Sequence, residues 1–337
     1  MIKTLFMIFL TSLSLTLQGQ SDWMTPPDNP VELGQVKWLR NLDEAKKMAV
    51  RTGKNIFILF QEVPGCSTCT SYGQDILSHP LLVEAIEREF IPLCIYNNKK
   101  GYDAQVLKKF KEPSWNNPVV RIIDVNEKDI IPRLNGQYNL PYVIAGITRA
   151  LRSSGTVIPE YLNGLEIEYG TNYHEETILG MFCFWSGEKL MSQIPGVVSS
   201  EAGFMSGREV VKISFDPSII SESQLITKAK NGNCADMVFS DEQVSHASVP
   251  SHKKGNFRKD RESKYYLYHS IYKSLPMTPY QQLQANAEIA AGGDISILLS
   301  ERQLKMKSYL EKNPLNYNAI GKPIYDSWNA VVSKIKK

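Results

Sequence analysis

Apolar runs and helical patterns alternate along the first half of the chain. Asn55-Ile56-Phe57-Ile58-Leu59-Phe60 is a short run of apolar residues, β-branched or aromatic at its start, which predicts a buried strand. Ser78 can cap a helix that has Pro80 in its first turn and runs to Phe90. Ile91-Pro92-Leu93-Cys94-Ile95-Tyr96 then reads as a second strand and Asn117 to Asp124 as a third, with a closing helix from Asn139 to Arg152. Ser153-Ser154-Gly155 opens a linker. Beyond it the pattern restarts. Thr177-Ile178-Leu179 is an apolar run, and Gly187 to Gln193 suits a helix. Val211, Ile213 and Phe215 share one face of a strand by period two, and Glu209 falls on that face. Ser221 to Ile226 is helical in pattern. Gln281–Ala290 and Ser300–Leu310 predict two more helices around Gly292-Gly293, expected to pack on the second domain.

The length of 337 residues, 42% hydrophobic and 22% charged, fits two folded domains with flanks, and there is no internal repeat. A formal charge of +3 argues against a polyanionic partner. The run His252-Lys253-Lys254 to Glu262 mixes signs and reads as a solvated loop, so no nucleic-acid surface is expected. Residues 1–20 carry Lys3, an apolar core from Leu5 to Leu17 and a small-residue exit near Gly19. That is a secretory signal pattern, too short for a membrane span. The protein is therefore expected to be exported, to a bacterial periplasm or beyond the cell, with no membrane span after signal removal. Five cysteines are too few for a disulfide scaffold in an exported chain of this size but suit redox catalysis.

Two of those cysteines form Cys66-Ser67-Thr68-Cys69, which follows the first strand through Gln61-Glu62-Val63-Pro64-Gly65 and opens a helical stretch from Thr70 to Leu77. A helix terminus depresses the first thiol and makes Cys66 the attacking sulfur, while Cys69 closes the disulfide. Half of a zinc site is the alternative, but no second Cys/His pair with suitable spacing lies nearby, so no metal is expected. Strand, loop and C-x-x-C at a helix start resemble the thioredoxin fold over roughly residues 36–152. The resemblance makes Pro118 the expected cis-proline facing the active cysteines. The Val-Pro-Gly-Cys lead-in also resembles thioredoxin-like proteins in which selenocysteine can replace the cysteine matched by Cys66. Cys94, in mid-strand, reads as inert packing.

The second thiol-bearing segment is Met181-Phe182-Cys183-Phe184-Trp185-Ser186. A thiol at a helix start favours the reactive thiolate, and sulfur and methyl groups pack well on aromatic rings. These residues alone leave a buried structural cysteine equally open. Downstream stand Gln193-Ile194-Pro195-Gly196-Val197-Val198, Ala202-Gly203-Phe204 and Arg208-Glu209-Val210-Val211 through Phe215-Asp216-Pro217. In this order the run resembles the peptide methionine sulfoxide reductase A family over roughly residues 174–245. The departures are Phe182 where the family has Gly, Ser186 for the Gly after Trp, and a shorter segment between Gly203 and Glu209. The resemblance implies that Cys183 attacks the sulfoxide sulfur, that Glu209 donates the proton, and that Phe184, Trp185 and Phe204 bind substrate. A carboxyl among apolar neighbours tends to hold its proton, which suits that part; a strand-end Glu reaching solvent is the alternative. The sulfenic acid left on Cys183 needs a second thiol, and Cys234, in a Gly/Asn-rich loop where it could swing, is the resolving candidate.

The expected architecture is α/β: a thioredoxin fold followed by an α+β, ferredoxin-like reductase domain. Residues 21–35 form an extended lead-in, 36–152 the thioredoxin-like domain, 153–173 the linker, 174–275 the reductase-like domain and 276–337 a helical extension. The expected activity is a peptide-methionine (S)-S-oxide reductase whose thioredoxin-like domain recycles the catalytic cysteine. Its expected partners are oxidised methionine in peptides or proteins and a thiol–disulfide electron donor, and no cofactor is implied. The alternative is an exported thiol–disulfide oxidoreductase using Cys66 and Cys69, with a degenerate second domain as a binding module.

Overall fold

The computed structural model describes residues 24–170, 173–241, 246 and 248–336. The expected signal peptide, residues 1–20, lies outside the described residues. No helix among the described residues is long and apolar enough to cross a membrane.

In the first half, β1 (Asn55–Gln61) is the centre of a three-stranded sheet. It pairs in parallel with β2 (Phe90–Tyr96) and antiparallel with β3 (Val119–Ile123). Its uninterrupted apolar run follows from burial on both faces. Phe57 and Leu59 enter one core, while Ile56, Ile58 and Phe60 enter another lined by α1 (Leu42–Thr52) and α4 (Tyr102–Phe110). The other face is covered by α3 (Pro80–Glu89) and α5 (Leu140–Ser153), and the C-x-x-C segment opens α2 (Ser67–Ser71), which runs into a π-helical turn at Tyr72–Ile76.

Two local expectations are corrected here. The linker region carries α6 (Glu160–Tyr169), whose Tyr161, Leu162 and Leu165 join the first core. The cap of α3 is His79 rather than Ser78: its Nδ1 accepts from Leu82 N at 3.4 Å, while Ser78 Oγ donates to Gly73 O at 2.8 Å. His79 is buried, its Nε2 has no partner, and burial pushes its pKa down to about 4. Below its ordinary value the unfolded chain takes up the proton first, so stability is lost as pH falls from about 6.5 through about 4, by ~3 kcal/mol in all. His79→Asn keeps a capping acceptor and removes the titration; urea melts across that window should show the acid loss shrink by most of this amount.

The second half begins with β4 (Glu175–Gly180) and α7 (Phe184–Met191), followed by β5 (Val197–Met205) and β6 (Arg208–Phe215), then α8 (Glu222–Asn231) and β7 (Met237–Ser240). This β-α-β-β-α-β run gives the antiparallel order β7-β4-β6-β5, the ferredoxin-like arrangement expected. Short strands β8 (Ser251–Lys253) and β9 (Arg258–Lys259) extend its two edges. Val211, Ile213 and Phe215 face α7 and α8, as period two requires, while Val210 faces the other way. Ser206 and Gly207, both at positive φ (51° and 76°), make the two-residue turn that sets Phe204 opposite Glu209.

After the short α9 (Tyr265–Tyr268), α10 (Pro279–Ala290) packs on α7, α9, β5 and α6. The second of the two expected helices, α11 (Glu301–Lys312), does not remain on the second domain as expected, and a further helix, α12 (Ile324–Ile335), follows it. Met306, Leu310, Ile324, Trp328 and Val331 join the core of the first half. Arg302 binds Glu84 through its N–H (3.0 Å) and pairs with Glu87, both on α3. The chain therefore closes back on its beginning.

Candidate functional site

Cys183 lies where the chain leaves the central strand β4. Met181 N donates to Glu209 O at 3.1 Å and Asp236 N to Gly180 O at 2.8 Å, so the turn after β4 is anchored to β6 and to the approach of β7. Cys183, half-buried in extended conformation (φ −137°, ψ 107°), is the N-cap residue of α7, which starts at Phe184, three residues before the helix start expected. The free N–H of Phe184 donates to Glu209 Oε2 at 3.0 Å. The second residue of β6 is thus fixed against the same helix terminus that carries the thiol.

Aromatic rings wall this position. Phe184 meets Phe204 edge-on (centroids 5.3 Å) and lies 5.6 Å from Trp185, which stacks on Tyr265 at 3.9 Å with the rings 25° apart. Trp185 Nε1 is 3.5 Å from Asp260 Oδ2, and Asp260 N donates to Ala202 O at 2.9 Å. The charged stretch expected to be a solvated loop therefore turns Asp260 inward, because its backbone pairs with β5. Asp260 and Tyr265 lie 75 and 80 positions after Trp185 and carry no local signal that ties them to it. Phe182, just before the thiol, is 91% exposed.

Cys234 follows α8 and is buried in the core that holds Phe184 and Met191. It is not the freely swinging loop thiol expected: its N–H donates to Ala229 O at 2.8 Å, and Asn233 before it is left-handed (φ 58°). Burial raises its pKa, and negative charge on Cys183, then on Asp236, raises it further.

The first thiol pair is polarised. Cys66, exposed, caps α2, and the N–H of Cys69 is the main cause of its lowered pKa. Burial, then the neighbouring Cys66, pushes Cys69 up to about 12. The sulfurs are 3.7 Å apart, and Cys69 Sγ donates to Asn117 Oδ1 at 2.7 Å. The bonds before Pro64 and Pro118 are both cis. Glu62 brings a carboxylate oxygen to this pair, all three ligand atoms lying within 4.8 Å of one another, a set chemically suited to a thiophilic cation although Cys/His spacing gives no sign of it. Cys94, wholly buried, is pushed up to about 12. A groove between the halves is lined by Asp75, His79 and Tyr169 on one side and Glu176, Glu201 and Lys212 on the other; neither Cys66 nor Cys183 lines it.

Residues 37–124 match the family described as thioredoxin-like. A peptide methionine sulfoxide reductase MsrA from Salmonella paratyphi B is 28% identical over 230 residues, covering 58% of this chain and 91% of that protein. The protein of the same name from Salmonella typhimurium is 27% identical with the same coverage. One from Photobacterium profundum is 36% identical over 89 residues, 21% of this chain and 42% of its own length. A solved chain titled DsbH Oxidoreductase covers 37% of this chain and 91% of its own at 15% identity, with a TM-score of 0.31. The chain thus joins a thioredoxin-like domain to a region homologous to the MsrA peptide methionine sulfoxide reductases.

Proposed function

We propose that this protein reduces methionine (S)-sulfoxide in peptides or proteins, with Cys183 as nucleophile and Glu209 as proton donor. The observation that carries the reading is the placement of Glu209 at the helix terminus bearing Cys183, inside an aromatic wall. Cys183 sulfur attacks the sulfoxide sulfur while the departing oxygen takes a proton. The products are the thioether and a sulfenic acid on Cys183, the oxygen having moved from one sulfur to the other. Glu209 Oε2 accepts from Phe184 N, which leaves Oε1 as the oxygen from which a proton can be passed on. Phe184, Phe204 and Trp185 hold the thioether group. Cys234 thiol then condenses with the sulfenic acid, giving a disulfide and water. Turnover of a methionine sulfoxide peptide by the purified protein with dithiothreitol tests the reading; no thioether product would overturn it.

The thioredoxin-like domain is the proposed reductant: thiolate from Cys66 attacks the oxidised pair and Cys69 releases the mixed disulfide, two electrons passing to Cys183 and Cys234. The polarity of the Cys66/Cys69 pair supports this direction. Cys69→Ser should trap Cys66 in a disulfide with Cys183 or Cys234, detectable by non-reducing peptide mapping. Only Cys183–Cys234 bridges after turnover, with Cys66 free, would show that the halves share a chain without sharing electrons. The same polarity favours a second reading, a thiol–disulfide oxidoreductase whose second half binds clients. Disulfide reduction without any sulfoxide turnover would select it.

A further inference from the structure

Glu188 lies three residues beyond Trp185 on α7 and is fully buried. Its Oε1 accepts from Ala202 N (3.0 Å), Ser263 Oγ (2.9 Å) and Lys264 Nζ (2.8 Å), and its Oε2 from Lys264 N (2.6 Å). Lys264 is also buried, and its ammonium donates further to the carbonyl and hydroxyl of Ser200. Its backbone is left-handed (φ 61°, ψ 52°), a conformation non-glycine residues seldom adopt, and the next residue is Tyr265, whose ring stacks on Trp185. One carboxylate therefore ties together α7, β5 and the segment entering α9, the three pieces that carry Trp185, Phe204 and Tyr265.

A buried ion pair is seldom the most stabilising filling for a core, since apolar residues of the same volume often serve as well. Its distinctive contribution is directional: four donors on one carboxylate fix where the Lys264 backbone turns, and that turn fixes the Tyr265 ring. We propose that Glu188 and Lys264 are positioning residues that hold Tyr265 against Trp185 as the outer wall of the Cys183 pocket. This rests on the sulfoxide-reductase reading of that pocket. Substrate meets the wall before and during reaction alike, so loosening it weakens binding more than it slows chemistry.

Glu188→Gln and the milder Ser263→Ala test this in the full-length protein. Hydrogen exchange across residues 258–268 should speed up about tenfold in Glu188→Gln, the scale of one lost charge-assisted hydrogen bond, with the peptides of β1 and β2 unchanged. KM for a methionine sulfoxide peptide should rise about tenfold with kcat within about threefold. If Glu188→Gln fails to fold, Ser263→Ala carries the test and should move exchange and KM the same way, by about threefold. Unchanged exchange in a folded variant would overturn the proposal, as would faster exchange at constant KM, which marks a purely structural pair. If the wild type turns over no sulfoxide, the reductase reading falls by itself, whereas unchanged exchange in a folded variant overturns the positioning of the wall whatever the activity.

Discussion

Cys183→Ser is expected to abolish sulfoxide reduction and to leave the disulfide chemistry of the first domain intact. Attack on sulfur requires an ionisable sulfur nucleophile; a serine hydroxyl stays protonated at neutral pH and cannot take the oxygen as a recyclable sulfenic acid. The substitution is mild for the fold, because Cys183 is the N-cap of α7 and serine is a preferred residue there. Loss of activity with an unchanged melting temperature therefore isolates chemistry from stability. Peptide turnover with dithiothreitol and reduction of a model disulfide, measured on the same variant, make the comparison. Sulfoxide turnover equal to wild type would remove Cys183 from the reaction.

Glu209→Gln is expected to slow the reaction about 10²–10⁴-fold, the usual cost of a missing general acid. The amide retains an oxygen that accepts from Phe184 N, so the contact between β6 and the helix terminus survives, and only the transferable proton is lost. The register Phe204–Glu209 next to a two-residue turn leaves the side chain little freedom to be replaced by another acid. A rate within about twofold of wild type at every pH would exclude Glu209 as the donor.

Much of the fold is legible along the chain because its causes are local. The run Ile56–Phe60 announces a strand covered on both faces, and the alternation Glu209, Val211, Ile213, Phe215 puts the carboxyl on the face of the thiol-bearing helix. The two thiol sites are legible for the same reason, each being a cysteine at a helix start after a strand. What escapes are features set by distant partners. Asp260 sits in a stretch whose mixed charge suggests solvent, and only pairing with β5 turns it toward Trp185, while Tyr265 stacks on Trp185 from 80 positions away. Glu188 looks like an ordinary helix-surface carboxyl until Lys264, 76 residues later, folds onto it. The sequence pattern predicts α11 as a helix but not which core receives it, and the first half does so through α3. Cys234 looks mobile among Asn and Gly, yet it is drawn into the core by its own sulfur's apolar character.

A single turnover without added reductant addresses the central claim most directly. Fully reduced protein is mixed with excess methionine sulfoxide peptide, the thioether is counted, and the cysteines that have lost their thiols are mapped by mass spectrometry. The account predicts thioether formed with loss of Cys183 and Cys234 thiols as a disulfide, followed by loss of the Cys66 and Cys69 thiols as the second pair of electrons is drawn. Thioether formation with Cys183 still free, or oxidation of Cys66 and Cys69 without any thioether, would contradict it.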